Sequence, residues 1–180
     1  MNFLNSNPNR NPAASEQLSS YYNYFIGSDP DKWAGNVSLS KKVSLASLYE
    51  GVDLHLYSSN GNLKYDLIVK AGADAKQIMF EYEGIEMEIL HKELVLRSSI
   101  GNVYEHAPLA YQVINGKKKR VACEYKLDDS VLSFSFPKGY KKAYDLIIDP
   151  ELIFSSYSGS TADNFGFTAT YDDAGSLYGG

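Results

Sequence analysis

The chain has 180 residues, of which 44% are hydrophobic, and can therefore bury a core of one domain or slightly more. Its 17 basic and 22 acidic residues give a formal net charge of −5, which disfavours nucleic acid, anionic lipid or another polyanion as a partner. No apolar run approaches the roughly 18 residues of a membrane-spanning helix, and the single cysteine, Cys123, excludes an intrachain disulfide.

The composition favours β-structure, because aromatic residues suit strands and glycines suit tight turns. The chain contains 15 Tyr, 8 Phe and 14 Gly. Residues 1–20 are rich in Asn, Ser and Pro and show no periodicity, which predicts an irregular or disordered lead-in. A β-rich domain is predicted to follow over residues 21–150.

An aromatic stretch opens this predicted domain. "YYNYFIG" predicts a short strand, and "SDPDKW" predicts a turn that ends on Trp33. Two interpretations of Trp33 are open: an apolar plug beneath a loop, which is the favoured one, or a platform on which a sugar ring stacks. If the domain binds a ligand through its aromatics, the candidate stacking residues are Trp33, Tyr22 and Tyr24.

A hairpin is predicted further along the chain, after one helical turn expected around residues 45–49. Apolar and polar residues alternate in "VDLHLY" and in "LKYDLIV", and Asn60-Gly61 between them suits a two-residue turn. Leu54, Leu56, Tyr65 and Leu67 are expected to face the core.

Alternating runs continue as far as Pro150, which belongs at an edge or a junction because proline cannot donate to a ladder. Hairpins are predicted at Asn115-Gly116 and across residues 128–130. The fold class is therefore predicted to be all-β, as an antiparallel sandwich or a stack of meanders.

The sequence shows no catalytic, cofactor or metal motif, and the protein is predicted not to be an enzyme. His55, His91 and His106 lack metal-binding spacing, and no nucleophile elbow or phosphate-binding glycine loop is present. Acidic pairs such as Asp128-Asp129 are interpreted as turns rather than calcium loops. Cys123 is interpreted as a small core residue, and the basic run 117–120 as a solvated hairpin end.

Two pairs of residues are candidates for acid–base catalysis. Glu105 and His106 are adjacent on a predicted strand and should point to opposite faces, so they are not expected to act together. Asp53 and Asp66 could serve a glycan hydrolase only if both left the solvent face of their hairpin.

Four segments carry a resemblance to a known family. Residues 23–37, 48–78, 106–121 and 146–166 resemble, in order and spacing, the amino-terminal domain of large bacterial surface proteins with SBBP-type β-propeller repeats. Such proteins are common in Bacteroidota and often carry a gliding-motility-associated, type IX secretion sorting domain. The segment "FSSYSGSTADNFGFTATYDDAGSLYGG" resembles the first repeat, although it lacks a glycine pair of the family pattern.

The resemblance implies that residues 151–180 begin a propeller repeat and that the chain is a piece of a longer secreted or cell-surface protein. The implied function is a non-catalytic scaffold or adhesion module, whose partners are the propeller repeats of its own chain and a surface glycan or protein. A carbohydrate-binding module and a surface glycan hydrolase are the alternatives. The domain is not expected to bind nucleic acid, to insert into a membrane or to carry a cofactor.

Overall fold

The computed structural model describes residues 1–59, 62–98, 101–150, 152–153, 169–171 and 177–179. Strand accounts for 62% and helix for 4%, whereas about a third of an average domain is helical. The predicted all-β class is therefore confirmed. Within the described ranges the strands are β1 Asn2–Phe3, β2 Pro12–Tyr24, β3 Ala34–Tyr49, β4 Val52–Ser59, β5 Asn62–Val69, β6 Met79–Glu81, β7 Glu86–Leu90, β8 Glu93–Ser98, β9 Gly101–Glu105, β10 Leu109–Ile114, β11 Lys117–Val121, β12 Glu124–Asp128, β13 Val131–Ser135, β14 Leu146–Asp149, β15 Leu152–Ile153, β16 Ala169–Tyr171 and β17 Leu177–Gly179. Short 3₁₀ helices span Pro30–Lys32 and Ala75–Gln77.

The described strands form four antiparallel sheets, none of which closes into a barrel. The largest has seven strands in the order β11-β10-β14-β5-β4-β3-β2. Two four-stranded sheets have the orders β1-β6-β13-β12 and β15-β9-β8-β7, and β16 pairs with β17. The seven-stranded sheet thus has β11 at one edge and β2 at the other.

One hydrophobic core joins the three larger sheets. Leu54 and Leu67 enter it from the seven-stranded sheet, Phe80 and Leu132 from the sheet of β1, and Leu94 from the sheet of β8. All five side chains are buried. Burial of a large apolar side chain contributes roughly 1.5–3 kcal/mol, so this junction of sheets supplies much of the stability.

The predicted hairpin of β4 and β5 is confirmed. The two strands pair from Val52↔Val69 to Ser59↔Asn62, which leaves Asn60-Gly61 as the connection, although these two residues lie outside the described ranges. Leu54, Tyr65 and Leu67 are buried, and Leu56 packs against the core. The predicted hairpins at Asn115-Gly116 and across residues 128–130 are also present, as β10–β11 and β12–β13.

The prediction of an irregular or disordered lead-in over residues 1–20 is wrong. β1 pairs with β6, and the ring of Phe3 packs 5.7 Å from that of Phe80 in the core. The amide of Leu4 also donates to the carbonyl of Met79 at 2.8 Å. β2 then begins at Pro12, so ordered structure starts well before Tyr21.

The helical turn predicted around residues 45–49 is also absent, because β3 continues to Tyr49. The pairing of β3 with β4 is interrupted between Leu45 and Tyr49, and Ser47 has a positive φ of 52°. The amide of Ser47 donates to Oδ1 of Asp53 at 2.9 Å. A bulge stabilised by this side-chain acceptor replaces the helical turn.

Candidate functional site

The most prominent surface feature is a two-stranded arm, formed by β2, residues 34–41 of β3 and the loop 25–33 between them. β4 pairs with β3 only from Lys42 onward, so among the described strands β2 alone pairs with residues 34–41. Eight residues of strand span about 26 Å. The arm therefore extends well beyond the core, and all 13 residues of β2 are exposed.

The end of the arm carries a cluster of exposed apolar side chains, which we call the aromatic tip. Ile26 is 74% exposed, Phe25 62% and Trp33 44%. Six residues form the tip: Tyr21, Tyr22, Tyr24, Phe25, Ile26 and Trp33. Exposed apolar side chains grouped in this way are typical of interaction sites.

Local contacts hold the tip in one conformation. Asp29 caps the 3₁₀ helix by accepting from the amide of Asp31 at 3.2 Å, and Pro30 begins that helix. The indole Nε1 of Trp33 donates to the carbonyl of Gly27 at 3.1 Å, and the ring stands edge-on to Phe25 at 5.5 Å. The loop therefore presents its rings on a fixed frame.

The favoured interpretation of Trp33 as a plug beneath a loop of the core is wrong, since the side chain lies on the arm and is 44% exposed. Tyr22 and Tyr24, the other two candidate stacking residues, lie on the same face of β2 with their rings edge-on at 6.3 Å. The structure thus brings all three candidates to one tip, and adds Phe25 and Ile26, which the sequence did not single out as candidates.

Glu105 and His106 point to opposite faces, as predicted. Glu105 is fully buried, whereas His106 is exposed and contacts Oε1 of Glu93 at 2.5 Å. Since the two side chains do not meet, they do not form an acid–base pair.

Glu105 instead lies among tyrosines in the core. Its Oε1 accepts hydrogen bonds from the hydroxyls of Tyr65, at 2.8 Å, and Tyr125, and within the described residues its buried Oε2 has no partner. Burial raises the pKa of Glu105, and the two hydroxyls only partly offset this. The sequence gives no signal for this cluster, because Tyr65 and Tyr125 lie 40 and 20 residues from Glu105 along the chain.

Asp53 and Asp66 remain on the outer face of the β4–β5 hairpin. Asp53 accepts from the amide of Ser47 and binds the ammonium of Lys70, each at 2.9 Å. Partial burial raises the pKa of Asp53, but the contacts with Ser47 and Lys70 together outweigh it, so the pKa lies below its ordinary value. Asp66 accepts from the hydroxyl of Tyr57 at 3.1 Å, and burial together with Asp149 raises the pKa of Asp66. These partners give the hydrolase alternative no support.

In the part of the chain that the structure describes, no group of three or more His, Cys, Asp and Glu side chains is placed to hold a metal ion. Asp128 ends β12 and Asp129 lies in the hairpin turn that follows, as interpreted, while Asp163-Asn164 and Asp172-Asp173, which have the same interpretation, lie outside the described ranges. None of the described helices is long and apolar enough to cross a membrane.

Comparison with known proteins gives a single family assignment. No curated protein matches the chain, and no solved structure matches it. Residues 1–151 match the model of a family described as a domain of unknown function, DUF7948. The match includes β1 and the arm, so both are part of the family domain. Because the match covers most of the chain, this protein belongs to the DUF7948 family.

Proposed function

We propose that the domain is a non-catalytic interaction module and that the aromatic tip is its main contact surface. The observation that best supports this proposal is the exposure of six large apolar side chains at the end of an arm that lies outside the core. Tyr and Trp are enriched where interfaces derive most of their binding energy, since they bury large area at little cost in side-chain entropy. Their concentration at one end of a narrow ribbon suits insertion into a groove.

The sequence resemblance supports a setting for this module. We propose that it precedes β-propeller repeats in a secreted or cell-surface protein and serves a scaffold or adhesion role there. The end of a repeat array exposes strand edges and apolar surface, and a dedicated domain can cover them. On this proposal the aromatic tip contacts either the first repeats or a molecule at the cell surface.

Site-specific photo-crosslinking tests this function. The experiment uses the protein expressed in its natural host. A photoreactive amino acid replaces Ile26 at the tip, and in a control it replaces Glu83, which is exposed in the connection between β6 and β7. The proposal expects a defined adduct from position 26 and none from position 83. Absence of adducts at position 26, or equal adducts at both positions, would contradict it.

The carbohydrate-binding alternative has its own measurement. Trp33 and Tyr22 expose about half of their surface, as ring stacking on a sugar requires. A glycan array probed with the wild-type chain and with Trp33→Ala separates the two modes. Glycan binding that is lost in Trp33→Ala, with an unchanged melting temperature, would favour a carbohydrate ligand over a protein groove.

A further inference from the structure

Two adjoining clefts lie apart from the arm, since no residue of the arm lines either of them. The first, of about 670 Å³, opens on the outer face of β12 and β13. The second, of about 570 Å³, lies beside β10 and β11. Gly139 and Tyr140 line both clefts and form the ridge between them. Since β11 and β2 are opposite edges of the seven-stranded sheet, the second cleft is separated from the arm by the width of that sheet.

Basic residues are concentrated in these clefts. The chain has 17 basic residues and a net charge of −5. Among the described residues, however, three basic residues line the first cleft and four line the second, against one acidic residue, Asp74. The seven are Lys76, Lys126 and Lys142 in the first cleft and Lys119, Arg120, Lys138 and Lys141 in the second. The net charge of the whole chain therefore conceals a local excess of positive charge.

Nearby carboxylates do not neutralise this excess. Lys142 lies 3.6 Å from Asp74, and Lys126 lies 3.9 Å from Asp128. Both pairs are more than half exposed, where such contacts contribute little. The ammonium groups remain available to an anion that enters the clefts.

The segment that carries Lys138, Lys141 and Lys142 is held in place by contacts with a buried side chain. Gln112, which is 2% exposed, donates to the carbonyls of Lys141 and Tyr144 at 2.8 and 3.0 Å and accepts from the amide of Lys141 at 2.9 Å. The ring of Tyr140 packs 5.1 Å from that of Phe136. The clefts are thus preformed, as binding sites usually are.

We propose that the two clefts together bind an acidic polysaccharide, one that carries uronate or sulfate groups along its chain. Six of the seven cations are lysines, which act as separate point charges and suit anions spaced along a polymer. Tyr140 offers a ring at the centre of the site. The hydroxyls of Ser133 and Ser135 on the floor donate to backbone carbonyls and keep lone pairs that can accept from sugar hydroxyls.

Calorimetric titration of the full chain tests this site. The probes are an oligogalacturonate, a neutral cello-oligosaccharide of equal length and a single-stranded DNA oligonucleotide, each at low and at physiological salt. The proposal expects the oligogalacturonate to bind, to weaken as salt is raised, and to bind more tightly than either other probe. Equal binding of the neutral sugar, tighter binding of the DNA, or no binding of the uronate would each overturn it.

Charge-neutralising variants locate the binding. The fourfold variant Lys76→Gln, Lys126→Gln, Lys138→Gln and Lys141→Gln should weaken oligogalacturonate binding by about tenfold or more, since each removes an exposed charge contact. The control Lys32→Gln, Lys92→Gln changes two exposed lysines outside the clefts and should leave affinity unchanged. An equal loss in the control would overturn the proposed location. Trp33→Ala should also leave the affinity for oligogalacturonate unchanged. The proposals for the clefts and for the aromatic tip can therefore be tested independently.

Discussion

The hydroxyl of Tyr65 lies 2.8 Å from Oε1 of Glu105, in a fully buried setting where Tyr125 donates to the same oxygen. A carboxylate in such a place keeps its charge only at a cost, because two hydroxyl donors replace the many water molecules that would solvate it. The pKa of Glu105 is consequently raised above its ordinary value of 4.5.

Glu105 should make the stability of the domain depend on pH. Because the folded-state pKa is raised, the folded protein holds the proton over a pH range in which the unfolded chain has lost it. The stabilising contribution is then fully present below about pH 4.5 and is lost as the pH rises through the folded-state pKa. Glu105→Gln is neutral at every pH and keeps the carbonyl acceptor, so chemical denaturation from acid to neutral pH should show a smaller decline in its free energy of unfolding.

Two further variants complete this test. Glu105→Ala leaves both tyrosine hydroxyls without their acceptor and should cost about 1–3 kcal/mol for each. Glu93→Gln removes a partly exposed carboxylate and is the matched control, with little effect expected. If Glu105→Gln shows the same pH profile as wild type, the buried carboxyl does not titrate as its surroundings indicate.

Gly51 should tolerate no side chain. It has a φ of +67° in the turn between β3 and β4, and a Cβ there would lie 2.7 Å from Cβ of Ala73. Gly51→Ala combines backbone strain with a steric clash and should cost about 2–4 kcal/mol of unfolding free energy. Gly84 has a φ of +71° in open space, so Gly84→Ala isolates the backbone term at about 1 kcal/mol. Equal melting temperatures for the two variants would show that the clash is relieved by movement of Ala73.

Local hairpins were predictable, while the pairing of distant strands was not. Alternation around Asn60-Gly61 specified which side chains of β4 and β5 face the core, because a short turn and a one-sided core fix the register together. In contrast, the partner of Leu67 in the neighbouring strand β14 is Ile148, about 80 residues away in sequence. Nothing in either run identifies the other, so the sheet order emerged only in the structure.

Most of the arm escaped prediction for a physical reason, and only residues 21–24 of β2 lie in the strand predicted for "YYNYFIG". Period-2 alternation arises when one face of a strand is buried and the other solvated, but β2 is exposed on both faces and so shows no such pattern. Trp33 was misassigned because its large apolar surface suits a core or an interface equally, and only its position on the arm decides between them. The basic clefts were hidden because their lysines are spread from Lys76 to Lys142.

Phe3 tests the corrected view of the amino-terminal residues. Its partly buried ring packs against Phe80, so Phe3→Ala should lower the free energy of unfolding by about 1–3 kcal/mol, somewhat less than a fully buried Phe would. Leu18→Ala, in the exposed part of β2, should change it by less than about 0.5 kcal/mol. Urea denaturation measures both changes. An unchanged free energy of unfolding in Phe3→Ala would show that the residues around Phe3 do not contribute to the folded core.

Cys123 should react slowly while the domain is folded. The residue packs against the core between β11 and β12, and burial, with a smaller effect of Glu124, raises the pKa of its thiol to about 12. Only the thiolate is nucleophilic, and a rise of the pKa from 9.0 to about 12 lowers the thiolate fraction near pH 8 by about a thousandfold.

Alkylation by iodoacetamide, followed by mass spectrometry, should therefore be orders of magnitude slower in buffer than in a denaturing concentration of guanidinium chloride. Glu124→Gln removes the negative charge beside the thiol. This variant should accelerate alkylation of the folded protein only slightly, because burial is the larger cause of the raised pKa. Rapid labelling of the folded wild-type chain would show instead that the segment between β11 and β12 opens readily and that Cys123 is not a settled part of the core.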